Sequence, residues 1–128
     1  MVVRFVALKD APLNQNTFYI SITGLQLKRF WHFPKFAWHS VKSMKQAQAA
    51  DGNISSTAKK INGVYHTLTI WEDETAMKRF LYRGAHREAI AAFGSIATGK
   101  TFGYASSEVP NWDKVHLLWQ QNGKDYAV

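Results

Sequence analysis

The stretch Gly63 to Phe93, GVYHTLTIWEDETAMKRFLYRGAHREAIAAF, carries the strongest structural signals in this chain. Its first part, Val64 to Trp71, is dense in β-branched and aromatic residues, which pack well on a pleated, half-buried surface, so a strand is predicted there. Side chains alternate along a strand, which puts Val64, His66, Leu68 and Ile70 on one face and Tyr65, Thr67, Thr69 and Trp71 on the other. His66 therefore points to the more apolar face. Glu72, Asp73 and Glu74 follow at once, where carboxylates can accept from the free N–H groups of a helix start and meet the positive end of its dipole. Met77, Phe80, Leu81 and Gly84 then recur at helical spacing as one inward stripe.

Beyond Gly84 that stripe fails. At about 100° per residue, an unbroken helix would bury Glu88 and turn Ile90 and Phe93 outward. A break near Arg83 and Gly84 rephases the second half so that His86, Ala89, Ile90 and Phe93 face inward. The alternative is one continuous helix with His86 in solvent.

Upstream, Asn62-Gly63 is a tight-turn dipeptide, and Ile54 to Ile61 reads as a weaker strand with an exposed Lys59-Lys60 pair, so the two strands form a hairpin. Before it, a helix is expected from Pro34 to about Ala50, with Ala37, Val41, Met44 and Gln48 along one side and Asp51-Gly52 ending it. The segment leading in, KRFWHFPKFAWH from Lys28 to His39, is basic and aromatic together. Its rings ahead of Pro34 form a natural pocket rim at the helix entrance; alternatively Trp31, Phe33, Phe36 and Trp38 wedge the helix onto the sheet. Thr17 to Leu25 alternates as a strand, with Phe18, Ile20, Ile22 and Gly24 on one face. Residues 1–16 form a leading segment, with a short strand at Val2 to Leu8.

Downstream, Lys100 to Val109 has strand composition, and Pro110 opens a last helix in which Trp112, Val115, His116 and Trp119 share one side, capped by Gly123. The expected architecture is thus α+β, a ferredoxin-like βαββαβ core over residues 17–109 with helices on one face, plus a C-terminal helix over 110–123, in a single domain over 1–128.

With 128 residues, 46% of them hydrophobic, the chain can bury a core without metal or disulfide staples. It has no cysteine, which excludes thiol catalysis, zinc–thiolate sites and iron–sulfur ligation by this chain. Arg4, Lys9 and Asp10 interrupt the N-terminus too early for a secretory h-region, and no run reaches membrane-spanning length, so a cytoplasmic location is expected. The net charge of +7 suits an anionic ligand, nucleic acid or a membrane surface, or solubility alone. Five Trp, five Tyr and eight Phe exceed what a core of this size needs, which leaves rings to line a cavity or an interface.

Gly94-Ser-Ile-Ala-Thr-Gly-Lys-Thr matches the phosphate-binding pattern G-x-x-x-x-G-K-[ST], but here a helix precedes the loop and a strand follows. Nucleotide hydrolysis is therefore not expected. Asn53-Ile-Ser55 fits the glycosylation pattern without a signal peptide to give it meaning. No metal-ligand spacing is present and no nucleic-acid-binding module is recognisable. The side chains expected near a helix–sheet cleft are His66, His86, His32, His39, Trp31, Trp71, Arg87 and Tyr104.

The run from Tyr65 to Ile90, YHTLTIWEDETAMKRFLYRGAHREAI, resembles the W-x-D-x-x-A-M-x-x-F…H-x-x-A-I segment of an uncharacterised bacterial family related to spheroidene monooxygenase of carotenoid biosynthesis. LQLKRFWHFPKFAWHSVKSMKQAQAADGN and EVPNWDKVHLLW extend the likeness over most of Thr17 to Trp119. The resemblance implies the dimeric α/β barrel superfamily, which includes antibiotic-biosynthesis monooxygenases and haem-degrading enzymes. In that superfamily two subunits close their sheets into a barrel, and apolar or aromatic ligands bind between helices and sheet. The likeness carries the histidine of H-x-x-A-I over to His86 and the tryptophan of W-x-D to Trp71. The axial histidine of the haem-degrading branch falls on Ile90 here. Spheroidene monooxygenase is thought to need haem, for which this chain offers only a histidine such as His86.

The leading expectation is a homodimeric oxygenase-like protein acting on a hydrophobic or aromatic small molecule. His86 or His66 would serve in hydrogen bonding or proton transfer, and Trp31, His32, Trp71, Arg87 and Tyr104 would hold the substrate. No metal ligands and no cofactor follow from a motif; haem is raised by resemblance alone. The alternative is a non-catalytic binder or carrier of an apolar ligand, haem-like or carotenoid-like. A third reading makes residues 28–45 an interfacial element in weak contact with a membrane surface, and nucleic acid is not an expected partner.

Overall fold

The computed structural model describes residues 17–125, so the strand expected at Val2 to Leu8 lies outside the described residues. Strand β1 spans Phe18–Leu27, and a short 3-10 turn at Phe30–His32 leads into α1, Phe33–Ala49. Strands β2, Asn53–Ile61, and β3, Val64–Trp71, form the hairpin. Helices α2, Glu74–Leu81, and α3, Gly84–Ile96, precede β4, Ala97–Ser106. The described chain ends with α4, Trp112–Asn122, and a two-residue strand β5, Lys124–Asp125. The sheet order is β2-β3-β1-β4-β5 with every pairing antiparallel, so its first four strands follow the ferredoxin-like arrangement.

Local chemistry explains the joints. Asn62 and Gly63 both take positive φ, 49° and 79°, the type I′ geometry whose twist matches the flanking strands. Asp73 caps α2 through a 2.8 Å bond in which the Ala76 N–H donates to its carboxylate. Replacing Asp73 by alanine is expected to cost about 1 kcal/mol in urea denaturation, with the fold unchanged.

The break in the second helix falls between Leu81 and Gly84. Arg83 is extended and Gly84 has φ +51°, a conformation that favours glycine. The side-chain amide of Gln46, on α1, holds the joint from outside. Its Nε2 donates to the Arg83 carbonyl at 2.8 Å, and its Oε1 accepts from the His86 N–H, also at 2.8 Å. Backbone groups orphaned by the break are thereby satisfied. Ala89 and Phe93 are buried after it, with His86 and Ile90 half-buried.

Three sequence expectations need correction. On α1 the inward residues are Phe36 and Ala47, whereas Val41 and Gln48, expected on one side with Ala37 and Met44, are exposed. The segment carries apolar side chains on both faces, so periodicity alone misassigned its phase. Strand β4 begins at Ala97 rather than Lys100, because α3 passes into it without a loop. Pro110 lies ahead of α4, whose cap is Asn111, accepting from the Lys114 N–H at 2.9 Å.

The two sheet faces are covered differently. Phe18, Ile20, Ile22, Val64, Leu68 and Ile70 pack with Val115 and Trp119 of α4. On the opposite face, Leu25 and Ala97 pack with Phe36 of α1 and with Ala89, Phe93 and Ile96 of α3. A second cluster on that face joins Trp71 to Ala47 of α1 and to Ala76, Met77 and Phe80 of α2.

Candidate functional site in the helix–sheet space

The face under α1, α2 and α3 has apolar ends and a polar middle. Leu25 and Tyr65 belong to one cluster, Tyr19 and Trp71 to the other. Between them the same face presents Ser21, Thr23, Thr67 and Thr101, all half-exposed although their strands are central or next to central. The Thr23 and Thr101 hydroxyls lie 3.5 Å apart, and Thr101 Oγ1 donates to the Ile22 carbonyl at 3.1 Å. Toward β4 the floor narrows to small residues. A Cβ on Gly99 would meet Leu25, and one on Gly103 would overlap the Tyr19 hydroxyl, so those two side chains lean across the glycines. The face thus carries a row of half-exposed hydroxyls between two ring-bearing apolar clusters. Burial, and secondarily Glu74, pushes the Tyr19 phenol above its ordinary pKa, so it stays a neutral donor at pH 7.

Two histidines border this side. His86 packs against Phe80 with ring centroids 4.3 Å apart. Its Nδ1–H donates to the Leu81 carbonyl at 3.2 Å, which leaves Nε2 as the basic nitrogen. Burial holds its pKa below the ordinary histidine value, with the Leu81 bond opposing, so the ring is neutral at pH 7. A hollow of about 300 Å³ lies beyond Phe80 and Gln46, lined by them with Ala50, Asp51, Arg79 and Arg83 but not by His86 itself. His39, on α1, meets Phe93 edge-on at 6.2 Å, and its buried Nδ1 has no hydrogen-bond partner among the described residues.

His66 lies on the other face, beneath α4. Its Nδ1 is 3.3 Å from the Thr23 carbonyl and its Nε2 is 2.8 Å from His116 Nδ1. His116 Nε2 is in turn 3.5 Å from Asn62 Nδ2. A carbonyl only accepts, which sets the direction throughout: Asn62 donates to His116, His116 to His66, and His66 to Thr23. His66 is neutral in this arrangement, its Nε2 accepting while its Nδ1–H donates. Desolvation first, then repulsion from His116, lowers the His66 pKa to about 4, against the opposing Thr23 bond.

The expectation that the singled-out residues share one cleft is therefore corrected. His66 and Tyr104 fall on the α4 face by strand alternation, and Tyr104 stacks on Phe102 at 5.2 Å. Trp71 lies on the face under α2 but is wholly buried, donating Nε1–H to Thr69 Oγ1 at 2.9 Å. Trp31 is exposed and His32 half-exposed at the 3-10 turn, and Arg87 is exposed on α3. None of the residues expected to act on a substrate lines the hollow beyond Phe80, although His86 packs on that ring. Sequence reading missed the floor, although its signal was present: Ser21 and Thr23, and Thr67 and Thr69, alternate on the helix-covered face where apolar residues would be usual.

His66 and His116 have both ring nitrogens engaged, so neither offers a free nitrogen to a haem iron. Among the described residues no group of three or more His, Asp or Glu is placed to hold a metal ion.

No family model and no curated protein matches the chain. Solved structures do. SnoaB, a cofactor-independent oxygenase from Streptomyces nogalater, superposes with a TM-score of 0.61 at 12% identity, over 72% of this chain and 95% of its own. A protein provisionally assigned as an antibiotic-biosynthesis monooxygenase from Deinococcus radiodurans gives 0.63 at 19% identity, over 73% and 96%. Another so assigned, from Nitrosomonas europaea, gives 0.62 at 7% identity, over 72% and 90%. The fold is thus the one these antibiotic-biosynthesis-monooxygenase-type structures share. The narrower link to spheroidene monooxygenase rests on the sequence resemblance alone.

Proposed function

We propose that this chain is a monooxygenase-like enzyme that binds a hydrophobic or aromatic small molecule over the hydroxyl row, in a trough between β1, β4 and the helices. The observation that carries this reading is the half-exposed row Ser21, Thr23, Thr67 and Thr101, set between two apolar ends on the helix side of the sheet. Hydroxyls there would orient an oxygen of the substrate while Phe36, Phe93 and Tyr65 hold its rings. His86, neutral and with Nε2 as its basic atom, is the proposed proton-transfer group, with His39 the second imidazole on this side. The neighbours' fold supports the reaction class, and the superfamily resemblance adds pairing with a second copy. His66 keeps a structural part in this scheme, because both its ring nitrogens are engaged on the other face.

Oxygen uptake with a panel of electron-rich polycyclic phenols tests the reading. Wild-type protein is expected to consume oxygen, and Thr101→Phe, which fills the floor, to abolish uptake while melting normally. His86→Ala is expected to lower kcat about a hundredfold. A wild-type rate in His86→Ala removes that imidazole from the mechanism. No uptake with any member of the panel, together with an apolar ligand that co-purifies unchanged, would favour the carrier alternative.

A further inference from the structure

We infer that the outer surface of the 3-10 turn and α1 docks on an anionic lipid bilayer, independently of what occupies the trough. From Thr17 to Ala50 the chain has no acidic residue, while Lys28, Arg29, Lys35, Lys42 and Lys45 all fall in that span. The same segment exposes its largest apolar side chains: Phe30 is 84% exposed, Trp31 60% and Trp38 64%, with Phe33 and Val41 also on the surface. Exposed apolar side chains scattered singly need no explanation, but here they share one short segment.

Helical spacing explains how one helix is apolar on two sides. Phe36, Ser40, Ser43 and Ala47 repeat at i, i+4, i+7 and i+11 toward the protein interior. Pro34, Trp38, Val41 and Lys45 repeat at the same intervals, displaced by two residues and so by about 200°, which brings them to the opposite side. The turn that carries Phe30 and Trp31 leads directly into this outer side.

The occupant follows from charge and ring geometry. A second copy meeting this patch about a two-fold axis would oppose these cations to themselves, with no acid in the segment to pair them and Glu88 of α3, 3.4 Å from Lys42, answering one of the five. Stacked nucleic-acid bases would need open ring faces. Here Arg29 lies over Trp31 at 6.0 Å and Lys42 over Trp38 at 5.3 Å, and Phe30 meets Trp31 edge-on at 77°. Exposed tryptophan rings, an exposed aliphatic residue and several lysines in one segment are the composition of an interfacial element. Anionic headgroups supply countercharge to Lys28, Arg29, Lys35 and Lys45, which the segment itself does not.

Co-sedimentation with vesicles of phosphatidylcholine and phosphatidylserine, at roughly three parts to one, tests this against vesicles of phosphatidylcholine alone. Wild-type protein is expected to pellet with the mixed vesicles and to remain in the supernatant with the neutral ones, with a blue shift of tryptophan emission on binding. The double variant Lys42→Gln with Lys45→Gln is expected to lose about tenfold in apparent affinity, and Trp31→Ser with Trp38→Ser to abolish the blue shift. Trp31, Trp38 and Lys45 are exposed and Lys42 is half-exposed in its pair with Glu88, and unchanged thermal melts would show that the variants fold. Wild-type protein that ignores the mixed vesicles overturns the proposal. So does retention of wild-type vesicle binding in both double variants, or loss of self-association or of oligonucleotide binding, rather than of lipid binding, as their only effect.

Discussion

Truncating Trp119 to alanine is expected to destabilise the fold by about 3–5 kcal/mol in urea denaturation, the range for removing a large buried ring. Trp119 is buried, donates its indole N–H to the Lys100 carbonyl at 2.8 Å, and meets His66 edge-on at 5.0 Å. Its ring occupies the space that a Cβ on residue 24 would fill, which is why β1 carries Gly24 at that point of its apolar face. Two consequences separate this account from a generic loss of packing. Gly24→Ala alone is expected to be destabilising, because the added methyl overlaps the indole. In the Trp119→Ala background the same substitution is expected to cost much less, since the cavity receives it. Additive effects in that cycle would show that ring and glycine do not compete for one volume.

Acidification is expected to produce the second large effect. His66 has an ordinary pKa of 6.5 and is lowered to about 4 in the fold, so it is neutral in the native state while the unfolded chain takes up a proton. Its stabilising contribution is complete above pH 6.5 and is lost as pH falls toward 4, amounting to about 3 kcal/mol at the acid end. A proton on His66 Nε2 would face the donating Nδ1–H of His116, so the relay loses its shortest bond unless the tautomers and Asn62 all reverse. Denaturation curves at pH 7, 5.5 and 4.5 measure this; in His66→Gln the decline over that window should be shallower than in the wild type. Equal slopes would place the acid sensitivity elsewhere.

Much of the architecture follows from neighbours in sequence. The turn at Asn62-Gly63, the cap at Asp73 and the strand alternation from Val64 to Trp71 are each governed by a few adjacent residues. The break at Gly84 is of the same kind, because the inward positions on either side of it cannot belong to one helical phase. The phase of α1 was not readable, because Phe36 and Trp38 lie on opposite sides of the helix and nothing local ranks one above the other. Nor was the scattering of the candidate residues. Parity correctly separates His66 from Trp71, but only the position of α4 turns the side of His66 into a closed space.

The chain's local rules thus established the order of strands and helices, which residues share a strand face, and the conflict of helical phase at Gly84, but not the start of β4 or the inward side of α1. Folding in three dimensions selected the partners: His116 for His66, fifty residues away, Gln46 for the joint at Gly84, and Tyr19 to lean across Gly103. The physical reason is one of range. Dihedral preference, capping and periodicity act within a turn or two of chain and are written in consecutive residues. A buried hydrogen bond or an interlocked ring depends on which surfaces meet, and that is fixed by the packing of the whole domain.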